Sequence, residues 1–286
     1  MLFLFGILAS SFVFELDIQF CSIEIVGNEN DDYFTVFSNN LQFQIQKRDD
    51  ILITGTSINK NFLNISISDP KNPLNLVFDS LSFLNENPSI YIQGECIINI
   101  SIGNNVEISS INSYPIALSE NSNLYLSGQN KGQILNLKSY SNYSMIGGNG
   151  NIFLKNISLS SQNLTYSGLE GRIISIESCD INLSTYQETI GGRQSNLITI
   201  QSSNLSLKSE FSSCIGNSQN IDSNISIESS IIYASTASIN APCIGNNQSN
   251  QIIIMSSQIE ASIENEESTF PIIGSSLNIK IDSSDI

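Results

Sequence analysis

The sequence predicts an all-β chain folded as a right-handed parallel β-helix. Three observations carry that reading: a recurring short phrase, a column of Ile at near-constant spacing, and a polar fraction made of Ser and Asn rather than charges. The phrase appears as "SMIGGNGN" at Ser144, "ETIGGRQSN" at Glu188, "SSCIGNSQN" at Ser212, "APCIGNNQSN" at Ala241 and "PIIGSSLN" at Pro271. After each phrase, and after "GLEG" at Gly168, comes a segment patterned apolar-x-apolar-x-x-small-x-apolar. Set in register, these segments align Leu154, Ile176, Ile200, Ile227, Ile254 and Ile281, spaced by 22, 24, 27, 27 and 27 residues. Alternation with period two is a strand signal, and a unit of this length that is rich in strand is a solenoid coil. One coil cannot bury its own apolar face, whereas stacked coils place the Ile column inside.

Each coil reads as strand, bend, strand, turn. Ser178, Ser202, Ser229, Ser256 and Ser283 align at the bend, followed by Cys179, Ser203, Ser230, Ser257 and Ser284. A ladder of equivalent small hydroxyl residues fits a tight inward bend with hydrogen bonds between coils. In the turn phrase, Ile146, Leu169, Ile190, Ile215, Ile244 and Ile273 point inward. Gly147, Gly191, Gly216, Gly245 and Gly274 open the turn, at positive φ, with Glu170 in the Gly place of the coil at Gly168. The first half follows less regularly, with the phrase reappearing around Ile90 and Ile116 in coils of roughly 21–30 residues. No composition break divides the halves, so residues 12–286 read as a single domain. The chain stops at "IDSSDI", on the bend of another coil, which reads as a fragment without a C-terminal cap or an end that stacks on a partner.

Composition narrows the function classes. The net charge of −16 and the pI near 4.1 argue against nucleic acid as a partner, because phosphate recognition needs clustered Lys and Arg. His is absent, which removes imidazole-based triads, bases and zinc ligands. Residues 1–11, "MLFLFGILASS", read as a signal peptide, with Ala9 and Ser11 at the −3 and −1 positions, and the alternative is a buried capping strand. No later segment approaches the ~20 apolar residues of a membrane span. The chain therefore reads as secreted or cell-surface. Sequons at Asn64, Asn99, Asn142, Asn156, Asn163, Asn182, Asn204, Asn224 and Asn247 would make it a glycoprotein in a eukaryotic secretory route.

The register also explains the cysteines. Cys214 and Cys243 are 29 residues apart and share one column on adjacent coils, at Cα separations within disulfide range. An oxidised pair and two buried thiols both fit. Five cysteines is an odd number, and no C-x-x-C occurs.

The coils "SNLYLSGQNKGQILNLKSYSNYSMIGGNG" and "SNLITIQSSNLSLKSEFSSCIGN" resemble the repeat of bacterial cell-surface carbohydrate-binding β-helix proteins, whose fold is similar to that of polysaccharide lyases. The resemblance spans about residues 50–286 and rests on the repeat, with Ser and Cys where those turns carry Ala-Gly. It implies glycans on a host or neighbouring cell surface as partners, and calcium as an ion that could be held. For a glycan, the candidate contacts are Tyr125 and Phe153, each between two inward residues, then Tyr140, Tyr143, Tyr166 and Tyr186 in the connections, with Arg172 and Arg193. For calcium they are Glu264, Glu266 and Glu267, a run without basic neighbours in sequence. The leading expectation is a non-catalytic binding or adhesion module without a cofactor. The alternatives are a structural stalk or coat segment, and a polysaccharide lyase or hydrolase using carboxylates or Arg near Glu170 and Glu188.

Overall fold

In the computed structural model every described element is a β-strand, and the strands stack as a parallel solenoid of about eight turns. The structure describes residues 13–285 apart from 20, 39–40, 59–60, 131, 162–165, 193, 217–222, 246–248, 269–270, 275 and 283–284. The signal segment, Arg193, Ser283, Ser284, Asn163 and Asn247 lie outside the described residues.

Each turn has three faces. The first carries Cys96–Ile102, Ser122–Gly128, Asn151–Lys155, Ile173–Glu177, Leu197–Gln201, Asn224–Glu228, Ser249–Met255 and Ser276–Asp282, each paired in parallel with the next. Leu154, Ile176, Ile200, Ile227 and Ile254 pair in succession and are at most 2% exposed, while Thr199, Ser226 and Ile253 between them face outward. The last member of the column departs from expectation. Ile281 pairs with Ile254 but is 45% exposed, because Ser276–Asp282 is paired on one side only among the described residues.

The bend between the first and second faces is left-handed backbone. Ser178, Ser202, Ser229 and Ser256 all sit near φ +50°, as does Asn156, and Ser80 and Asn105 repeat the conformation in earlier coils. Short polar side chains tolerate this region because they hydrogen-bond locally. Only the second residue of the bend turns inward; Ser202, Ser229 and Ser256 are exposed. Each inward hydroxyl then makes two bonds. Ser203, Ser230 and Ser257 donate to the carbonyls of Gln201, Glu228 and Met255 at 2.7–2.8 Å. Their oxygens accept the amides of Cys179, Ser203 and Ser230 from the coil before, at 3.1–3.2 Å. The hydroxyls thus satisfy amides that burial would otherwise strand.

On the third face Ile116, Ile146, Leu169, Ile190 and Ile215 stack fully buried, and bridges extend the column to Ile244 and Ile273. Gly191, Gly216 and Gly245 have positive φ, and a Cβ on Gly191 would sit 1.7 Å from the Gly216 carbonyl oxygen. In the coil at Ile146 the positive φ belongs to Gly148, not Gly147. Gly147 has a different cause: a Cβ there would meet the Tyr114 ring at 2.2 Å.

The N-terminal end was not legible as a coil. Tyr33–Ser38 and Leu41–Gln46 form an antiparallel hairpin that extends the third face through Ile23–Asn28. It brings Phe34, Val36 and Ile45 into the core at the end of the stack. Lys47, just past the hairpin, donates to the Asn28 carbonyl and pairs with Asp69, whose side chain is fully buried.

Candidate functional site

Outward residues of the first face form the best-organised candidate. Tyr125 and Phe153 pair in register on adjacent coils, and their rings stack with centroids 4.3 Å apart and planes 8° apart. Coil stacking sets this separation, so the two ring faces meet along the solenoid axis and the outer faces look toward the coils on either side. The neighbours there are short: Asn99 and Asn75 before Tyr125, Ser175 after Phe153. The result is a hollow of about 590 Å³ in which the aromatic block is flanked by amides, hydroxyls and the Lys155–Glu177 ion pair at 2.7 Å. The Asn99 amide donates to the Asn75 side-chain oxygen at 2.9 Å, so the polar wall is pre-oriented.

The other predicted residues scatter. Tyr140 is exposed at the corner after the second face, with the Lys138 ammonium 4.4 Å from its ring centre. Tyr186 lies along the same corner and stacks with Phe211 at 6.2 Å. Tyr143 and Tyr166 share a smaller hollow of about 300 Å³ with Tyr114, Glu170 and Glu188. There Ser144 donates to Glu170 at 2.7 Å, and burial, reinforced by Glu170 and Tyr143, raises the Tyr114 pKa. Arg172 reaches neither glutamate as a described ion pair; its guanidinium meets Asn121 at 3.4 Å.

The acidic run behaves differently from expectation. Glu264 does have a basic neighbour, because the fold brings Lys208 to 3.3 Å from its carboxylate. A hydrogen bond from Ser235 and then Lys208 hold the Glu264 carboxyl below its ordinary pKa. Among the described residues no three or more His, Cys, Asp or Glu side chains converge as a metal site would need. Cys214 and Cys243 are neighbours as the register required, joined by a 2.8 Å backbone hydrogen bond, and both are fully buried free thiols in this structure. Their mutual hydrogen bond and then burial push the Cys214 thiol well above its ordinary pKa. Burial likewise pushes Cys96 up to about 12 and Cys179 up to about 11.

Two outward aromatics that lie between inward residues escaped the sequence reading. Tyr233 lies between buried Ile232 and Ala234 on the second face, in a hollow of about 1020 Å³ with Ser206, Lys208 and Glu260. Tyr91 lies between buried Ile90 and Ile92. The signal that found Tyr125, an aromatic between two inward residues, was present at both.

The fold defines the molecule as a parallel β-solenoid with short polar and aromatic side chains on its outward columns. Comparison of the chain with family models, with curated proteins and with solved structures finds no match. No helix of the described residues is long and apolar enough to cross a membrane.

Proposed function

We propose that this chain is an extracellular, non-catalytic binding module for neutral glycans, with its principal site on the first face at Tyr125 and Phe153. The observation that carries the reading is the stacked pair itself. Sugar rings bind by laying their C–H faces on aromatic planes while hydroxyls meet nearby amides, hydroxyls and carboxylates. Tyr125 and Phe153 supply two such planes pointing in opposite directions along the axis, with Asn75, Asn99 and Ser175 at their edges. A hollow running across successive parallel strands suits an extended polymer better than a compact metabolite. The charge of −16 favours uncharged sugars, since an anionic chain would meet net repulsion.

The test is binding of the purified protein to an array of neutral and anionic glycans, repeated with Tyr125→Ala and Phe153→Ala. Retention of neutral glycans that either variant weakens at least tenfold supports the proposal. Failure to bind any glycan, or binding that both variants leave unchanged, overturns it.

A further inference from the structure

The antiparallel hairpin at the N-terminal end leaves one strand edge open. Leu41–Gln46 pairs with Tyr33–Ser38 on one side and with no other strand among the described residues. Exposed edges in native proteins are usually guarded by charges, prolines or bulges. This strand, LQFQIQ, has none of them. The edge therefore presents unpaired backbone groups between uncharged side chains, with no like-charge repulsion to keep a second strand away. Beside it, Leu41 is 63% exposed and lines a hollow of about 540 Å³ with Phe37 and Phe62, which are 39% and 46% exposed.

We propose that this edge pairs antiparallel with the same strand of a second copy, making a two-fold dimer joined end to end at the caps. The alternation of the strand is self-complementary. A two-fold axis normal to the sheet requires paired residues to lie on the same side of it, so partners share parity. Centred on Phe43, the pairing sets Leu41 opposite the second copy's Ile45, Phe43 opposite Phe43, and Gln42 opposite Gln44. Apolar side chains then meet apolar ones on the side where Phe43 and Ile45 already pack on the core. Amides meet amides on the other side. Centring on Gln44 preserves the same segregation. Antiparallel pairing also sends the two Lys47–Arg48 ends in opposite directions, so like charges do not face each other. A single edge is a small contact compared with the ~1,200 Å² or more of a stable interface, so the dimer should be of moderate affinity at most.

The mass of the full chain in solution, measured by light scattering or sedimentation from low to tens of micromolar, tests this. A concentration-dependent dimer is expected. Replacing both Gln42 and Gln44 by Lys should give a monomer with an unchanged circular-dichroism spectrum, because both side chains are exposed. Replacing both by Glu should do the same, and mixing the Lys and Glu variants should restore a dimer. A monomeric native chain over the whole range overturns the proposal. So does a dimer that persists in the Lys variant, and so does a mixture that fails to re-form one.

Discussion

Removing the charge of Asp69 should make the chain less stable by an amount that depends on pH in a defined way. Its carboxylate is fully buried where the hairpin meets the first complete coil. Burial alone would raise its pKa, but hydrogen bonds from Lys47, from the Asn72 side chain and from the amides of Lys71 and Asn72 outweigh that. The value falls from 3.8 to about 2. A depressed carboxyl contributes stability that is complete above its unfolded value and lost as pH falls through the folded one. At about 1.4 kcal/mol per pH unit, the gap corresponds to roughly 2 kcal/mol. The assay is urea denaturation of the native chain and of Asp69→Asn between pH 6 and pH 2, with the difference in unfolding free energy followed across the range. That difference should be level above about pH 4 and shrink by roughly 2 kcal/mol toward pH 2. Subtraction cancels the other carboxylates, which both proteins share. Lys47→Met should destabilise the native chain near neutrality by about 3–5 kcal/mol, since it leaves a buried charge without its main counter-ion. A difference between native and Asp69→Asn that does not change with pH would refute the assignment of the low value to Asp69.

Ser230→Ala should cost about 1–3 kcal/mol in denaturant melts, because it deletes one rung of the hydroxyl ladder and strands the Ser203 amide that bonds to it. An exposed bend serine such as Ser229 replaced by Asn should stay within about 0.5 kcal/mol, since Asn tolerates the same left-handed backbone. Ile227→Asp should abolish cooperative folding, as it buries an unpaired charge mid-column; a cooperative melt near the native midpoint would contradict the register. Calcium at millimolar concentration should leave the melting temperature unchanged, because Lys208 already compensates Glu264; a rise of several degrees would show a site the carboxylates do form.

The parts of the fold that repeat were the parts that could be read. Inward positions are under one requirement, packing against the coil before and after, so Leu154 through Ile254 carry the same kind of side chain and alignment exposes them. Bend serines were visible for the same reason, although their left-handed backbone and the double role of the following hydroxyl needed coordinates. The hairpin at Tyr33–Gln46 occurs once, and its alternating pattern is indistinguishable from that of a parallel strand. The contact that joins it to the first coil, Lys47 with Asp69, 22 residues away, is likewise invisible to a local pattern. Glu264 shows the same limit for charge: "IENEES" reads as an unpaired acidic run, while Lys208 arrives from two coils back.

Site residues were legible only where a single coil specified them. Tyr125 and Phe153 followed from alternation, because an aromatic between two inward residues must face out. Their stacking needed the register between coils, and that register was already in the spacing of the Ile columns. Tyr140, Tyr143, Tyr166 and Tyr186 lie in turns of unequal length between the second and third faces, where no column fixes direction, and they share that corner without forming one site. The contrast bears on what the molecule can recognise. In a solenoid the inner columns are nearly interchangeable from coil to coil, so what distinguishes one coil from another for a ligand lies in the outward columns. On the first face the outward column reads Asn75, Asn99, Tyr125, Phe153, Ser175, Thr199 and Ser226 in successive coils. The aromatic departure occupies two adjacent rungs, with small polar residues above and below it. A wall of aromatics along the whole face would have stacked on itself and left no ring face open. Two rungs leave two faces open, each bordered by short polar side chains.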